Sequence, residues 1–168
     1  MGVDPGGTTG WAVGSFSFGS IFGNESLFPL GEGCKSIEYG QFTGDEDAQA
    51  DKVIDAAIKQ FDVDVVVIED FELRKMLKSK ELLSPVRIGH KISYGLHIIN
   101  ASDLRVDRRI RIEWQMPALA MTTATDDRLK IWNIHHRGKQ HARDAVRHVV
   151  TFARRAKSER EIRERVWN

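Results

Sequence analysis

Three acidic residues, far apart in the sequence, are placed where they could take part in metal-assisted chemistry. Asp4 comes just before a glycine-rich turn, and Glu69 ends a run of β-branched residues. Asp144 lies in a late helical segment, three residues after His141. Mg²⁺ prefers oxygen ligands, and carboxylates at strand ends or on a helix face are groups that a fold can gather around it. The pattern therefore indicates a site for two divalent cations.

A pair of such ions suits the hydrolysis of a phosphodiester bond, which needs an activated water and a stabilised leaving oxygen. Asp4 is then the natural bridging carboxylate, and Glu69 and Asp144 each hold one ion. His141 is either a softer ligand that Mn²⁺ accepts or a group that orients water and moves a proton. His148 shares the helix face of His141 and Asp144, and we expect it to pack rather than to bind metal.

Each of these residues also has a plainer explanation. Asp4 could be a turn aspartate, Asp144 a solvated helix residue and His141 a surface histidine. Asp70 competes with Glu69, but side chains alternate along a strand, so only one of the two reaches the site directly. We favour Glu69.

The hydrophobic periodicity predicts the elements that must position these residues. We expect strands over 1–5, 11–13, 36–43, 63–68 and 109–114, with a hairpin turn at 6–10, and helices over 45–61, 84–100, 126–134 and 140–157, with a further helical segment from Pro117. The run at 63–68 is almost continuously β-branched, which is typical of a central strand covered on both faces. Glu69 therefore lies at the carboxyl end of a buried strand.

Length and composition predict one domain over residues 1–168 that needs no disulfide or structural metal. The single cysteine, Cys34, cannot form an internal bridge, and no apolar run approaches the length of a membrane span. We therefore expect a reducing, cytoplasmic setting, no membrane partner and no small-molecule cofactor.

The formal net charge of +1 conceals two halves of opposite sign. Residues 1–70 carry 3 Lys and Arg against 13 Asp and Glu, whereas residues 71–168 carry 22 against 11. An acidic half that includes candidate metal ligands, next to a basic half, suits a site that holds cations while its flanks attract a phosphate backbone. The basic stretch at 154–165 is better explained as a solvated terminal helix.

The order of elements predicts an α/β, ribonuclease H-like fold with a five-stranded mixed sheet, three strands antiparallel and two parallel, flanked by helices. Four segments carry a closer resemblance: Val3-Asp4-Pro5-Gly6 with Thr9-Gly10-Trp11-Ala12, Val67-Ile68-Glu69, the helix from Pro85 to Asn100, and His141-Ala142-Arg143-Asp144-Ala145. With these motifs the chain resembles RuvC-type Holliday junction resolvases of the compact kind found in phages.

The resemblance implies a metal-dependent endonuclease that resolves Holliday junctions and other branched DNA by symmetric paired nicking. Its catalytic residues and metal ligands would be Asp4, Glu69, His141 and Asp144, with two Mg²⁺ ions for which Mn²⁺ can substitute. The helix from Pro85 resembles the family's dimer helix, which implies a homodimer. The setting would be the host cytoplasm if a phage encodes the chain.

The basic segment after Glu69 corresponds to the family region that enters the junction centre, where an aromatic residue stacks on an unpaired base. The family's aromatic position falls on Glu72, whereas Phe71 lies one place earlier, so Phe71 is either this wedge or a buried residue. Contacts with the phosphate backbone are predicted for Arg74, Lys75, Lys78, Lys80, Arg128 and Lys130.

Other functions remain open from the sequence. The same fold could serve an RNA-processing or RNase H-type nuclease, or a junction-binding module without cleavage activity. The segment from Asp4 to Gly10 also resembles the first phosphate loop of actin-like ATPases and sugar kinases, but those proteins need two such domains around a nucleotide.

Overall fold

A mixed β-sheet of five strands forms the centre of the computed structural model, which describes residues 1–71, 83–102 and 109–167. The strands are β1 (Gly2–Asp4), β2 (Thr9–Phe16), β3 (Cys34–Phe42), β4 (Val65–Glu69) and β5 (Arg111–Gln115), and they lie in the order β3-β2-β1-β4-β5. β1, β2 and β3 are antiparallel, β4 is parallel to β1, and β5 is parallel to β4. The predicted ribonuclease H-like topology is confirmed.

Seven helices flank the sheet in the described part of the chain. They are α1 (Phe18–Phe22), α2 (Glu46–Asp55), α3 (Ser84–Ala101), α4 (Pro117–Thr123), α5 (Asp126–Ile131), α6 (Gln140–Ser158) and α7 (Arg160–Trp167). The sequence did not predict α1, and it predicted α7 only as part of a solvated terminal helix over 154–165. The helix predicted over 45–61 begins where the Asp45 side chain accepts a hydrogen bond from the Ala48 N–H, and its last turn, Ala56–Gln60, is π-helical.

β4 separates two hydrophobic clusters, as its β-branched composition predicts. Val65 and Val67 belong to the cluster under α6, whereas Val66 and Ile68 belong to the cluster under α2 and α3. This division follows from the alternation of side chains along a strand. Burial on both faces fixes the register of β4 and thereby the position of Glu69 at its end.

α3 buries one apolar stripe and leaves another apolar surface exposed. Ile88, Ile92 and Leu96 are fully buried, while Tyr94 and Ile98 point to solvent. None of the helices in the described ranges is both long and apolar enough to cross a membrane.

α6 approaches the β1–β2 hairpin so closely that the contact requires glycine. A Cβ atom added to Gly10 would overlap the carbonyl oxygen of His141, and one added to Gly2 would overlap that of Ala145. Backbone-to-backbone contact of this kind leaves no side chain that could move aside. The two glycines therefore allow the short distance between the backbone of α6 and the sheet.

We predict that Gly10→Ala destabilises the fold by about 1–3 kcal/mol, because the added methyl group overpacks a rigid contact. The free energy of unfolding, measured by urea titration, tests this. Gly7→Ala is the matched control, since a Cβ at Gly7 meets nothing within 4 Å. Equal stability of the two variants would contradict the close approach of α6.

Candidate active site

Asp4 and Glu69 are the last residues of two adjacent parallel strands. Val3 pairs with Ile68 in the register of β1 and β4, so the two acids follow directly at the same edge of the sheet. The side chain of Asp4 is 9% exposed and that of Glu69 is 25% exposed. Parallel pairing therefore brings together two carboxylates that lie 65 positions apart in the sequence.

His141 in the first turn of α6 is the hydrogen-bond partner of Asp4. Its Nδ1 lies 2.7 Å from Asp4 Oδ2, and the His141 side chain is 42% exposed. The Gly6 position lies beside the ring, because a Cβ there would be 3.6 Å from its Cε1 atom. The glycine-rich turn thus lies beside the His141 ring.

Burial dominates the electrostatics of this pair. Desolvation raises the pKa of Asp4 above its ordinary value of 3.8; the hydrogen bond with His141 opposes this, and the carboxylates of Glu69 and Asp144 add to the rise. The hydrogen bond to Asp4 in turn raises the pKa of His141 above its ordinary value of 6.5. Glu69 and Asp144 therefore both act electrostatically on Asp4, in a pocket that favours bound positive charge.

Asp144 is held by a buried arginine on its own helix. Arg147, 5% exposed, donates hydrogen bonds to the carboxylates of Asp144 and Asp126 and, through Nε, to the carbonyl oxygen of Ala124 at 3.1 Å. A buried guanidinium is tolerated when it is paired and hydrogen-bonded in this way. Arg147 consequently joins α6 to the start of α5 and fixes Asp144 between them.

Glu69 is bonded to His148, which is fully buried. His148 Nε2 lies 2.8 Å from Glu69 Oε2, and its Nδ1 lies 2.9 Å from the side-chain nitrogen of Gln115 at the end of β5. Asp70, by contrast, is exposed, and its backbone N–H donates to the Gln115 carbonyl oxygen. The strand thus directs Glu69 toward α6 and Asp70 toward solvent.

The chemistry of these donors fits a hard divalent cation, since carboxylate oxygens are the ligands that Mg²⁺ prefers. Within the described residues, however, no group of three or more His, Cys, Asp or Glu side chains is close enough to hold a metal ion. Each carboxylate is paired with a donor from α6 instead: Asp4 with His141, Glu69 with His148, and Asp144 with Arg147. These donors satisfy carboxylates that would otherwise repel one another.

The predicted DNA contacts are placed only in part. Phe71 is half-buried, two residues after the end of β4, and Arg74, Lys75, Lys78 and Lys80 lie outside the described residues. Arg128 donates to the carbonyl oxygens of Thr122 and Thr123, and Lys130 pairs with Asp127 at 3.1 Å. Both of these basic residues lie on the exposed side of α5.

Sequence reasoning missed several residues of this site. Gln115 and Arg147 were not singled out, and His148 was expected only to pack. Arg147 could have been found from its spacing, three residues after Asp144 on the same helix face. Arg137 and Lys139 were also missed; both are exposed on the segment that leads into α6.

The sheet order and the helices packed on it define the ribonuclease H-like fold. Among solved structures, the chain is similar to RuvC from Thermus thermophilus, with a TM-score of 0.61, 12% identity, and coverage of 92% of this chain and 93% of that chain. It is also similar to T. thermophilus RuvC in complex with a Holliday junction substrate, with a TM-score of 0.60, 12% identity, and 94% of each chain covered. No protein-family model matches the chain, and no curated protein matches it. The likeness shows the fold, and the RuvC-like fold predicted from the sequence is confirmed.

We predict that Asp4→Asn lowers the pKa of His141 toward its ordinary value of 6.5, because the carboxylate that favours the imidazolium is lost. In the wild type this protonation stabilises the metal-free fold. The contribution is fully present below pH 6.5 and is lost as the pH rises through the higher folded-state pKa. NMR titration of the His141 ring measures the change, with the exposed Asp70→Asn as control. An unaltered His141 pKa in Asp4→Asn would contradict this coupling.

Proposed function

We propose that the chain is a divalent-metal-dependent endonuclease that resolves Holliday junctions and other branched DNA by symmetric paired nicking, acting as a homodimer of single-domain protomers. The observation that carries this proposal is the buried Asp4 carboxylate, whose pKa is raised by burial and by the carboxylates of both Glu69 and Asp144. A fold gains nothing in stability from burying one acid within the electrostatic reach of two others. Acids are arranged like this where a cation is to be bound.

The proposed ligands are Asp4, Glu69 and Asp144, with His141 beside them. Two Mg²⁺ ions, or Mn²⁺ in their place, would activate a water and stabilise the leaving oxygen. The residues themselves fix the geometry: strand ends hold Asp4 and Glu69, and Arg147 holds Asp144. His141 presents a half-exposed ring whose Nδ1 is bound to Asp4, which leaves Nε2 as the atom that can exchange a proton with the substrate side.

The surface beside the site supports the binding of a phosphate backbone. Arg137 and Lys139 are exposed on the segment before His141, and the half of the chain after residue 70 carries 22 Lys and Arg against 11 Asp and Glu. Such contacts depend on charge and not on base sequence. The basic segment after Glu69, with Phe71 near its start, is proposed to face the junction.

The apolar surface of α3 supports a homodimer. Tyr94 is 69% exposed and Ile98 is 49% exposed, although both lie on a helix whose other side is core. A four-way junction has two equivalent strands to cut, and a two-fold dimer supplies one active site for each. We propose that α3 packs against α3 of a second copy.

We predict that Asp4→Asn and Glu69→Gln each abolish cleavage of a synthetic four-way junction while junction binding persists. The cleavage rate should fall by more than the factor of about 10–100 that is typical when a residue next to a metal ligand is replaced. Strand-specific end labels with Mg²⁺, Mn²⁺ or EDTA report cleavage, and gel shift in EDTA reports binding. Asp70→Asn is the control and should cut at the wild-type rate.

The substrate panel separates the proposal from its alternatives. Linear duplex DNA, a replication fork, an RNA–DNA hybrid and single-stranded RNA are tested beside the junction. Preference for the hybrid or for RNA would indicate an RNA-directed nuclease of the same fold, and binding without cleavage would indicate a junction-binding module. A cruciform plasmid tests paired nicking, because two nicks within one binding event give linear product, whereas independent nicks give open circles first.

We predict that Ile98→Glu converts the dimer to a monomer. Dimer formation would bury the new carboxylate in an apolar interface without a partner, which costs free energy. Light scattering coupled to size-exclusion chromatography measures the mass. Ile131→Glu is the matched control, since Ile131 is 75% exposed on α5, away from α3. A wild-type chain that is monomeric at all concentrations would contradict the dimer.

A further inference from the structure

A buried polar chain runs from β5 through α6 to the proposed metal ligand on β4. Gln115 is 3% exposed, His148 is fully buried, and their side chains are joined at 2.9 Å. His148 then bonds Glu69 Oε2 at 2.8 Å. These polar groups lie among Ala145 and Val149, the small apolar residues that α6 otherwise turns toward the sheet.

Donor and acceptor chemistry fixes the direction of each bond in this chain. The side-chain nitrogen of Gln115 carries two hydrogens and accepts nothing, and it faces both His148 Nδ1 and, at 3.4 Å, the His148 carbonyl oxygen. The opposite orientation of the amide would place its oxygen against that carbonyl oxygen. Nδ1 is therefore the acceptor, the ring proton lies on Nε2, and Nε2 donates to Glu69.

The sheet itself positions Gln115 for this task. Gln115 pairs with Glu69 in the parallel register of β4 and β5, and its carbonyl oxygen accepts the Asp70 N–H at 2.9 Å. The strand end that carries Glu69 is thus tied to Gln115 through the backbone and, by way of His148, through the side chains. Both connections restrict where the Glu69 carboxylate can lie.

His148 is a polar residue at a fully buried position of α6. Burying an imidazole and an amide costs free energy unless their polar atoms are paired, and a fully paired network gains specificity rather than stability. Here the pairing ends on one oxygen of a carboxylate, Oε2, and among the described residues no hydrogen bond is made to Oε1. This is the arrangement by which outer groups orient a metal-binding carboxylate.

We propose that His148 is a positioning residue for Glu69, held in its Nε2–H tautomer by Gln115, so that Glu69 presents Oε1 to a divalent cation. The inference rests on the proposed function, in which Glu69 is a ligand. His148 contacts neither the cation nor the DNA. Its effect is to keep one carboxylate in a single orientation before the cation arrives.

Substitutions at His148 separate positioning from packing. His148→Gln retains an N–H donor near the place of Nε2, whereas His148→Leu retains only bulk. With Mn²⁺ alone as the probe, isothermal titration calorimetry should show about 10–100-fold weaker binding for His148→Leu and near-wild-type binding for His148→Gln. Equal affinities for Mn²⁺ in His148→Leu and the wild type, or equal losses in the two variants, would overturn the proposal.

A second measurement uses the wild-type protein. It therefore does not depend on whether a variant at position 148 folds. Nitrogen-15 NMR of labelled histidine in the metal-free wild type reports which ring nitrogen carries the proton. We expect the His148 ring to show a protonated Nε2, and Gln115→Leu to give a mixture of tautomers together with weaker Mn²⁺ binding. A proton on Nδ1 in the wild type would refute the assigned direction of the bonds.

The outcomes also distinguish this inference from the function on which it rests. If the wild type binds Mn²⁺ and cuts junctions but His148→Leu does both equally well, only the positioning role fails. If the wild type neither binds Mn²⁺ nor cuts any substrate, the proposed function fails and the positioning role fails with it, although the NMR measurement still reports the tautomer.

Discussion

The repulsion that Glu69 and Asp144 exert on the buried carboxylate of Asp4 is the constraint on which the rest of the site depends. Asp4 and Glu69 are brought together by the parallel pairing of β1 and β4, and Asp144 by α6. Acids so placed require donors, and α6 supplies all three: His141, Arg147 and His148. One helix thus carries a carboxylate of the site and a hydrogen-bond partner for each of its three carboxylates.

This requirement determines how α6 must pack. Its donors reach the strand ends only if its backbone lies directly on the sheet, and side chains at the crossing would hold it away. The contact is therefore made by Gly2 and Gly10 on the strands and by Ala142 and Ala145 on the helix, the last two fully buried. Close packing here gives precision to the site in addition to burying apolar surface.

The sequence predicted the features that arise from local periodicity. The β-branched run of β4 and the spacing of His141, Asp144 and His148 predicted the strand end and the helix face correctly. The π-helical turn Ala56–Gln60 was missed, because nothing in its composition differs from an ordinary helix. The bond between Gln115 and His148 was missed for a different reason: its partners are 33 positions apart, and only the register of β5 brings them together.

The three donors on α6 explain why Asp4, Glu69 and Asp144 each have a separate partner and do not converge on a common centre. A carboxylate in low dielectric needs a proton, a cation or hydrogen-bond donors, and the raised pKa of Asp4 shows that His141 meets this need only partly. Within the described ranges, His148 engages one oxygen of Glu69, and Arg147 divides its donors between Asp144 and Asp126, so the carboxylates of Glu69 and Asp144 each keep acceptor capacity. In the proposed function, divalent cations would supply the remaining positive charge by binding carboxylate oxygens of this site.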